Sequence, residues 1–317
     1  MTAASPTAHQ PPVPSGPARP LDPGLLAREI TAIANGRAIA VEHDVAPRNL
    51  ARRVAITGSP GAGKSTLSGH LAGIRGKDRR YGILAIDPSS PRSGGAILSD
   101  RIRIDEIEGT AELYVRSLGS RSSSDGLADN LPAILDTMDR HGFAEVLLET
   151  VGVGQSDYAV NALVDTVVLV LHPESSDVIQ AMRAGIMEMA DLFVINKADL
   201  PSARKNVADI KRVQVLTRRS PSASTPPVLS TSSRDPSSIA ALSDAIDAHL
   251  SWLAATGAQS RQRLRLRYVL RRALDARVSR ALDRMPEALC AQAIDEQLAW
   301  TLNVPRIRIE RSDRLSF

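Results

Sequence analysis

The sequence predicts an α/β fold, a mainly parallel β-sheet flanked by helices, with helical extensions at the N- and C-terminal ends. Three observations predict it. Seven short β-rich runs lie between residues 53 and 230, several of them almost continuously apolar, as strands buried on both faces require. Helical patterns separate most of these runs, and that alternation places helices on both sides of a parallel sheet. After residue 250 the β signals stop and helical spacing takes over.

The elements follow in order. Residues 1–23 carry Pro11, Pro12, Pro14, Pro17, Pro20 and Pro23 among Ala, Ser and Thr, a composition that buries little and reads as a disordered tail. Residues 24–50 form an N-terminal extension, a helix LLAREITAIA followed by a linker. The strands are RVAIT (53–57), YGILAID (81–87), ELYVRS (112–117), AEVLLE (144–149), TVVLVLH (166–172), DLFVIN (191–196) and PPVLS (226–230), all within one domain at 51–255. RRSPSASTP at 218–226 reads as a flexible loop. The C-terminal region, 256–317, is helical. Residues 261–285 hold nine arginines and two aspartates, with Leu266, Leu270, Leu274, Val278, Leu282 and Met285 at helical spacing. This reads as an amphipathic packing helix with a solvated face. Pro286 suits the first turn of a further helix over 286–302.

Composition narrows the function. Apolar residues make up 43% of the 317 and charged residues 23%, an ordinary globular balance. Aromatics are only 3%, so stacking on nucleic-acid bases is not expected as the main activity. The single cysteine, Cys290, excludes a disulfide framework or a cysteine cluster. It reads as a small apolar residue in a C-terminal helix. No apolar run is long enough to span a bilayer, and the start lacks the basic and apolar blocks of a secretory signal. A cytoplasmic protein is expected.

The chemistry begins at Gly58, Ser59, Pro60, Gly61, Ala62, Gly63, Lys64, Ser65 and Thr66, which match G-x-x-x-x-G-K-[ST] in full. A strand precedes the motif and a helical pattern follows it, the context that marks a P-loop NTPase. The glycines let backbone N–H groups converge on phosphate oxygens, and the next helix offers its positive end to the same anion. Lys64 is placed to reach the β- and γ-phosphates and the Ser65 hydroxyl to ligate Mg²⁺.

Asn196, Lys197, Ala198 and Asp199 follow a strand about 130 residues later. A carboxylate at Asp199 can accept from the ring N–H and the exocyclic amine of guanine, which adenine does not offer together. A site built on such bonds rejects the wrong base by roughly 10⁴-fold. Lys197 can lie along the base, and Asn196 can tie this loop to the P-loop. GTP and GDP are therefore the expected ligands.

Glu149 ends a buried strand, and Gly152 stands three residues on. The carboxylate can hold Mg²⁺ through water, and the Gly152 N–H can sense the γ-phosphate, so the loop can act as a switch. Most small GTPases carry Asp where this chain has Glu149. Gln155 is either a water-orienting group or a solvated loop residue. Asp87 ends a strand near the P-loop and Asp100 follows a Gly-rich stretch. Both are candidates for Mg²⁺ or the attacking water, with turn formation or capping as the plainer role. His70, His141 and His172 show no ligand spacing and read as structural.

Taken together, GSPGAGKST, AIDPSSPRSGGAILSDRIRI, ETVGVGQSD and VINKADL, in that order, resemble the MeaB/ArgK/MMAA family of G-proteins over about residues 52–250. The resemblance implies an α/β GTPase core, C-terminal helices that mediate homodimerisation, and a role as chaperone to an adenosylcobalamin-dependent acyl-CoA mutase such as methylmalonyl-CoA mutase, gating cofactor loading and protection. A cobalamin adenosyltransferase is a second partner it implies. By motif matching, Lys64 and Ser65 take the P-loop roles. Asp87, Asp100 and Glu149 match the Mg²⁺ and switch carboxylates, Asn196, Lys197 and Asp199 the guanine reader, and Ser232 and Ser233 the loop near the base. The third switch loop departs from the family pattern: it reads Ser176-Asp177-Val178-Ile179-Gln180-Ala181-Met182-Arg183, and Arg183, a candidate catalytic cation, stands where lysine is usual. The stretch VRSLGSRSSSDGLA has fewer glycines than usual. These departures bear on the partner rather than on nucleotide chemistry.

Three other readings compete. A metallochaperone-type GTPase for nickel enzymes predicts His- or Cys-rich ligands, which this chain lacks. A kinase or ATPase linked to amino-acid transport, a label ArgK relatives have carried, conflicts with the guanine-reading motif. A nucleic-acid binder using the arginine-rich helix predicts steeply salt-dependent binding.

Overall fold

The computed structural model describes residues 20–35, 50–88, 112–120, 130–150, 155–174, 186–216, 225–290 and 292–303. Seven strands form one sheet: β1 (Arg52–Thr57), β2 (Tyr81–Pro88), β3 (Leu113–Ser120), β4 (Glu145–Thr150), β5 (Thr166–Leu171), β6 (Leu192–Ile195) and β7 (Val228–Ser230). Their order is β3-β2-β4-β1-β5-β6-β7, and every pairing is parallel. The mainly parallel sheet expected from the sequence is thus wholly parallel among the described strands. Each of the seven apolar runs is a strand, with ends shifted by a residue or a few.

The continuous apolar runs are explained by position. Strands β4 and β5 are buried along their whole length and β1 along all but its first residue. Helices α2 (Lys64–Arg75) and α6 (Pro236–Thr256) supply one covering layer. Leu67 and Leu71 from α2 and Ile239, Leu242 and Ile246 from α6 join Val54, Ile56, Leu147, Val168 and Val194 in one apolar cluster. A second cluster sets Leu169, Leu171, Phe193 and Ile195 against Ala203 and Ile210 of α5 (Ala203–Leu216). Helix α3 (Leu131–Arg140) lies between β3 and β4, and α4 (Gln155–Leu163) between β4 and β5.

Helix α1 (Pro23–Ala34) begins at Asp22, whose carboxylate accepts from the Leu25 N–H at 2.9 Å, a side-chain N-cap. It buries Leu26, Ile30 and Ile33 and is tied down by Asn130 Nδ2 donating to the Ile33 carbonyl and by His141 Nε2, 3.0 Å from Glu29 Oε2.

Buried and half-buried ion pairs line the amino ends of the strands. Arg75, on α2, donates through Nε and Nη2 to both oxygens of Glu145 at 2.6 and 2.7 Å, and also to Asp247 and Ser243. Burial works against the Arg75 charge, but the bonds to Glu145 and Asp247 outweigh it and its pKa is raised. Burial also pushes the neighbouring Tyr81 phenol up. Arg53 pairs with Asp139 at 2.6 Å. Arg261 donates to both oxygens of Asp191 and Arg265 to Asp165. The Arg265 guanidinium is shifted down by burial and by the nearby Arg53 charge.

Cα packing divides the chain into two compact units, residues 1–265 and 266–317. Helix α7 (Ala258–Leu282) runs from the first into the second. The helical spacing expected over 261–285 is present, but Leu266, Leu270, Leu274 and Leu282 are 53–60% exposed. Arginines interleave with the leucines around α7, so no single face is apolar. The helix expected at 286–302 is two, α8 (Glu287–Cys290) and α9 (Ile294–Asn303). A turn closed by the Gln292 N–H on the Leu289 carbonyl ends α8. The Cys290 side chain and the 218–224 stretch of the expected loop lie outside the described residues. Among the described residues no helix is long and apolar enough to cross a membrane.

Candidate functional site

The carboxyl edge of the sheet gathers the motif loops, where phosphate sites of open α/β sheets lie. The loop from β1 to α2 is the P-loop. Gly58 and Gly63 adopt φ +139° and +88°. A Cβ on Gly58 would stand 1.9 Å from the Val170 carbonyl oxygen, and one on Gly63 would stand 2.5 Å from Asn196 Nδ2. Both glycines are required by close approach as well as by backbone angle. Ser59 and Ala62 are buried, Pro60 and Gly61 exposed, and Thr66 half-buried. Lys64 opens α2 with its ammonium turned back along the loop, donating to the carbonyls of Gly58 and Ser59, both at 2.9 Å. This holds the lysine stem against the loop and leaves its charge beside the N-terminus of α2.

Glu149 reaches the same place from β4. Its Oε1 accepts from Ser65 Oγ at 2.5 Å, and its Oε2 lies 3.0 Å from Ser68 Oγ. Adjacency of β1 and β4, with Ile56 opposite Glu149, places this carboxylate beside the first turn of α2. A hydroxyl and a carboxylate, both oxygen donors, suit a hard cation such as Mg²⁺. The described residues hold no cluster of three His, Cys, Asp or Glu able to bind a metal by themselves.

The loop expected to read the base follows β6. Asn196 Nδ2 donates to the Ala62 carbonyl at 2.8 Å, while its Oδ1 accepts from Thr231 Oγ1 at 3.0 Å. Lys197 takes φ +53° and its ammonium donates to the Gly61 carbonyl at 3.1 Å. Asp199 Oδ1 accepts from Ser232 Oγ at 3.1 Å. The Ala198 N–H donates to the Thr231 carbonyl, and the Thr231 N–H to the Ile195 carbonyl. The loop after β7 is therefore laced to the loop after β6. Asp235 caps α6 at its start. The Ser237 hydroxyl, chiefly, holds its carboxyl below the usual range. Ser233 is exposed in the same turn.

The fold thus brings together Gly58 to Thr66, Glu149, Asn196, Lys197, Asp199, Ser232 and Ser233. The backbone of Asp87 lies at the end of β2, opposite Gly119 of β3, with its side chain outside the described residues. Asp100, Gly152 and Arg183 also lie outside them, as does the Gln155 side chain. Three contributors escaped the sequence reading: Ser68, one turn beyond Lys64, Thr231, which faces Asn196, and Arg234, whose Nη1 stands 3.4 Å from Asp199 Oδ2. The i+4 spacing of Ser68 from Lys64 was a usable signal for the first. The other two depend on a contact between separate loops. His141 pairs with Glu29 of α1, and His172 accepts from the Glu174 N–H two residues on. His70 is exposed on α2.

Known proteins resemble this chain. The sequence profile of the family described as "Methylmalonyl Co-A mutase-associated GTPase MeaB" matches residues 26–286. A Caulobacter vibrioides protein with a provisional GTPase designation is 36% identical over 256 residues, 76% of this chain and 77% of that protein. The Mus musculus "Methylmalonic aciduria type A homolog, mitochondrial" is 36% identical over 204 residues, 61% of this chain and 49% of that protein. The match therefore spans about half the length of the mouse relative. The crystal structure of an LAO/AO transport system kinase superposes with a TM-score of 0.57 at 21% identity, covering 89% of this chain and 98% of that one. That likeness is one of fold.

Proposed function

Because the chain belongs to the methylmalonyl-CoA mutase-associated GTPase MeaB family, we propose that this P-loop GTPase is Mg²⁺-dependent and acts as G-protein chaperone to an adenosylcobalamin-dependent acyl-CoA mutase, methylmalonyl-CoA mutase or a relative. Its hydrolysis cycle gates cofactor loading and protection, and the working form is a homodimer, with a cobalamin adenosyltransferase as a further partner. The observation that carries the nucleotide side of this reading is the bond from Asn196 to Ala62. It holds a guanine-selective carboxylate loop at a fixed offset from a phosphate loop.

The geometry supports the following roles. The P-loop N–H groups and Lys64 hold the β- and γ-phosphates, and Asp199 accepts from the guanine edge. Ser65 and Glu149, with Asp87 and Asp100, are the residues that would hold Mg²⁺, which when bound supplies neutralisation of the phosphate charge. Phosphoryl transfer to water then needs mainly positioning and charge stabilisation from the protein.

The test is GTP hydrolysis by the purified chain with and without the B12-dependent acyl-CoA mutase of the same organism. ATP and Lys64→Ala serve as controls. Stimulation by the mutase with GTP alone, lost in Lys64→Ala, is the expected result. A GTP turnover that no such mutase alters would overturn the chaperone role while leaving the GTPase.

A further inference from the structure

We propose that Arg234 tunes nucleotide affinity and base selectivity by competing with guanine for one oxygen of Asp199. The proposal rests on the reading of Asp199 as the base-contacting carboxylate.

The two oxygens of Asp199 have different partners. Ser232 Oγ donates to Oδ1 at 3.1 Å, and Arg234 Nη1 lies 3.4 Å from Oδ2. Both partners come from one tight turn. The Asp235 N–H donates to the Ser232 carbonyl at 3.0 Å, and the Arg234 N–H to Ser232 Oγ at 3.3 Å. Ser238 Oγ accepts from the Ser232 N–H at 3.1 Å, and α6 begins directly after the turn. The backbone of Arg234 is therefore fixed, while its side chain is 83% exposed and reaches over a carboxylate that is itself 39% exposed.

The chemistry makes this an internal imitation of the ligand. The guanine edge that meets a carboxylate is a ring N–H and an exocyclic amine on one planar carbon. That is the guanidine arrangement which arginine carries at the end of its side chain. Guanine needs both oxygens of Asp199, so its edge meets the guanidinium at Oδ2. Hypoxanthine lacks the exocyclic amine. It can use one oxygen and leave the other to Arg234. The competition therefore weakens guanine binding, hastens its release and lowers the preference for guanine over hypoxanthine. An ion pair this exposed is weak, which sets the size of the effect.

The experiment measures equilibrium binding and release of fluorescent GDP and IDP by the full-length chain with Mg²⁺, for wild type, Arg234→Ala and Arg234→Lys. Arg234→Ala is expected to bind GDP about two- to fivefold tighter, with slower release and unchanged IDP affinity. Arg234→Lys, which keeps the charge without the planar fork, falls between. The difference shrinks in 1 M salt, where exposed charges are screened over about 3 Å. Weaker GDP binding in Arg234→Ala overturns the proposal. So does an equal change for GDP and IDP, which would mark a merely structural role for the turn. Failure of the wild type itself to bind GDP would overturn the guanine reading on which the proposal stands.

Discussion

Asn196 and Ala62 are joined by a 2.8 Å hydrogen bond between residues 134 apart in sequence. The amide of Asn196 is spent at both ends, with Nδ2 on the P-loop carbonyl and Oδ1 on the Thr231 hydroxyl. Three loops of the site are thereby held by one buried side chain. Replacing Asn196 by alanine strips a partner from two buried polar groups, a loss of about 1–3 kcal/mol each. The expected outcome is a lower unfolding midpoint together with GDP affinity reduced by about tenfold or more. Binding and stability both at wild-type level would refute the tie.

The P-loop glycines are not equivalent. Gly61 has φ +80° with nothing within 4 Å of an added Cβ, whereas Gly63, at φ +88°, would drive its Cβ to 2.5 Å from Asn196 Nδ2. Gly61→Ala carries only the left-handed backbone penalty, about 1–2 kcal/mol. Gly63→Ala carries that penalty and also displaces Asn196. GDP titrations should find Gly63→Ala the more damaged of the two. The reverse order would contradict the geometry.

Glu149 holds the hydroxyls of Ser65 and Ser68. Glu149→Gln keeps size and one acceptor but removes the charge a divalent cation needs. The Mg²⁺ concentration at half-maximal GTP turnover should rise by about tenfold or more, since outer partners of a metal site are worth about 10- to 100-fold in metal affinity. GDP binding without Mg²⁺ should change little. An unaltered Mg²⁺ requirement would remove Glu149 from the cation site.

At the opposite edge of the sheet, Glu145 is fully buried against Arg75. Glu145→Ala leaves a buried guanidinium with Asp247, half-exposed, as its one remaining charged partner among the described residues. Breaking a buried pair on one side costs about 3–5 kcal/mol. Urea unfolding should show a loss of that order, with the GDP affinity of the folded protein retained because the pair lies far from the site. A loss below about 1 kcal/mol would show that Asp247 compensates.

His249 lies between Thr166 Oγ1, 2.8 Å from Nδ1, and Asp191, 3.5 Å from Nε2. Burial lowers its pKa below the ordinary 6.5, Asp191 and Asp165 pull it up in part, and Arg261 adds to the lowering. Above about pH 6.5 folded and unfolded chains both carry a neutral ring, and no stability depends on it. As pH falls below the unfolded value, the unfolded chain takes up a proton that the folded chain resists. Stability then declines until the native pKa is reached. Unfolding curves between pH 7.5 and 5 should show this decline, and His249→Asn should flatten it. An equal slope in the variant would assign the titration elsewhere.

Local information was enough for much of the architecture. A run such as TVVLVL declares a strand because burial on both faces demands six apolar or β-branched residues in succession. The P-loop declares itself because phosphate binding by backbone N–H groups requires glycines at set positions within nine consecutive residues. The spacing of leucines along α7 is equally legible. Whether anything covers them is not, because exposure depends on the other chain segments that approach. Only the tertiary structure decided that Thr231 completes Asn196, that Ser68 shares Glu149, and that Arg234 stands beside Asp199. The same holds for the match of Arg75 to Glu145, 70 residues on. Hydrophobic period and motif spacing are properties of neighbours in sequence. The partner of a buried charge or amide is set by strand order, here β4 beside β1 and β7 beside β6, which brings distant loops to one edge.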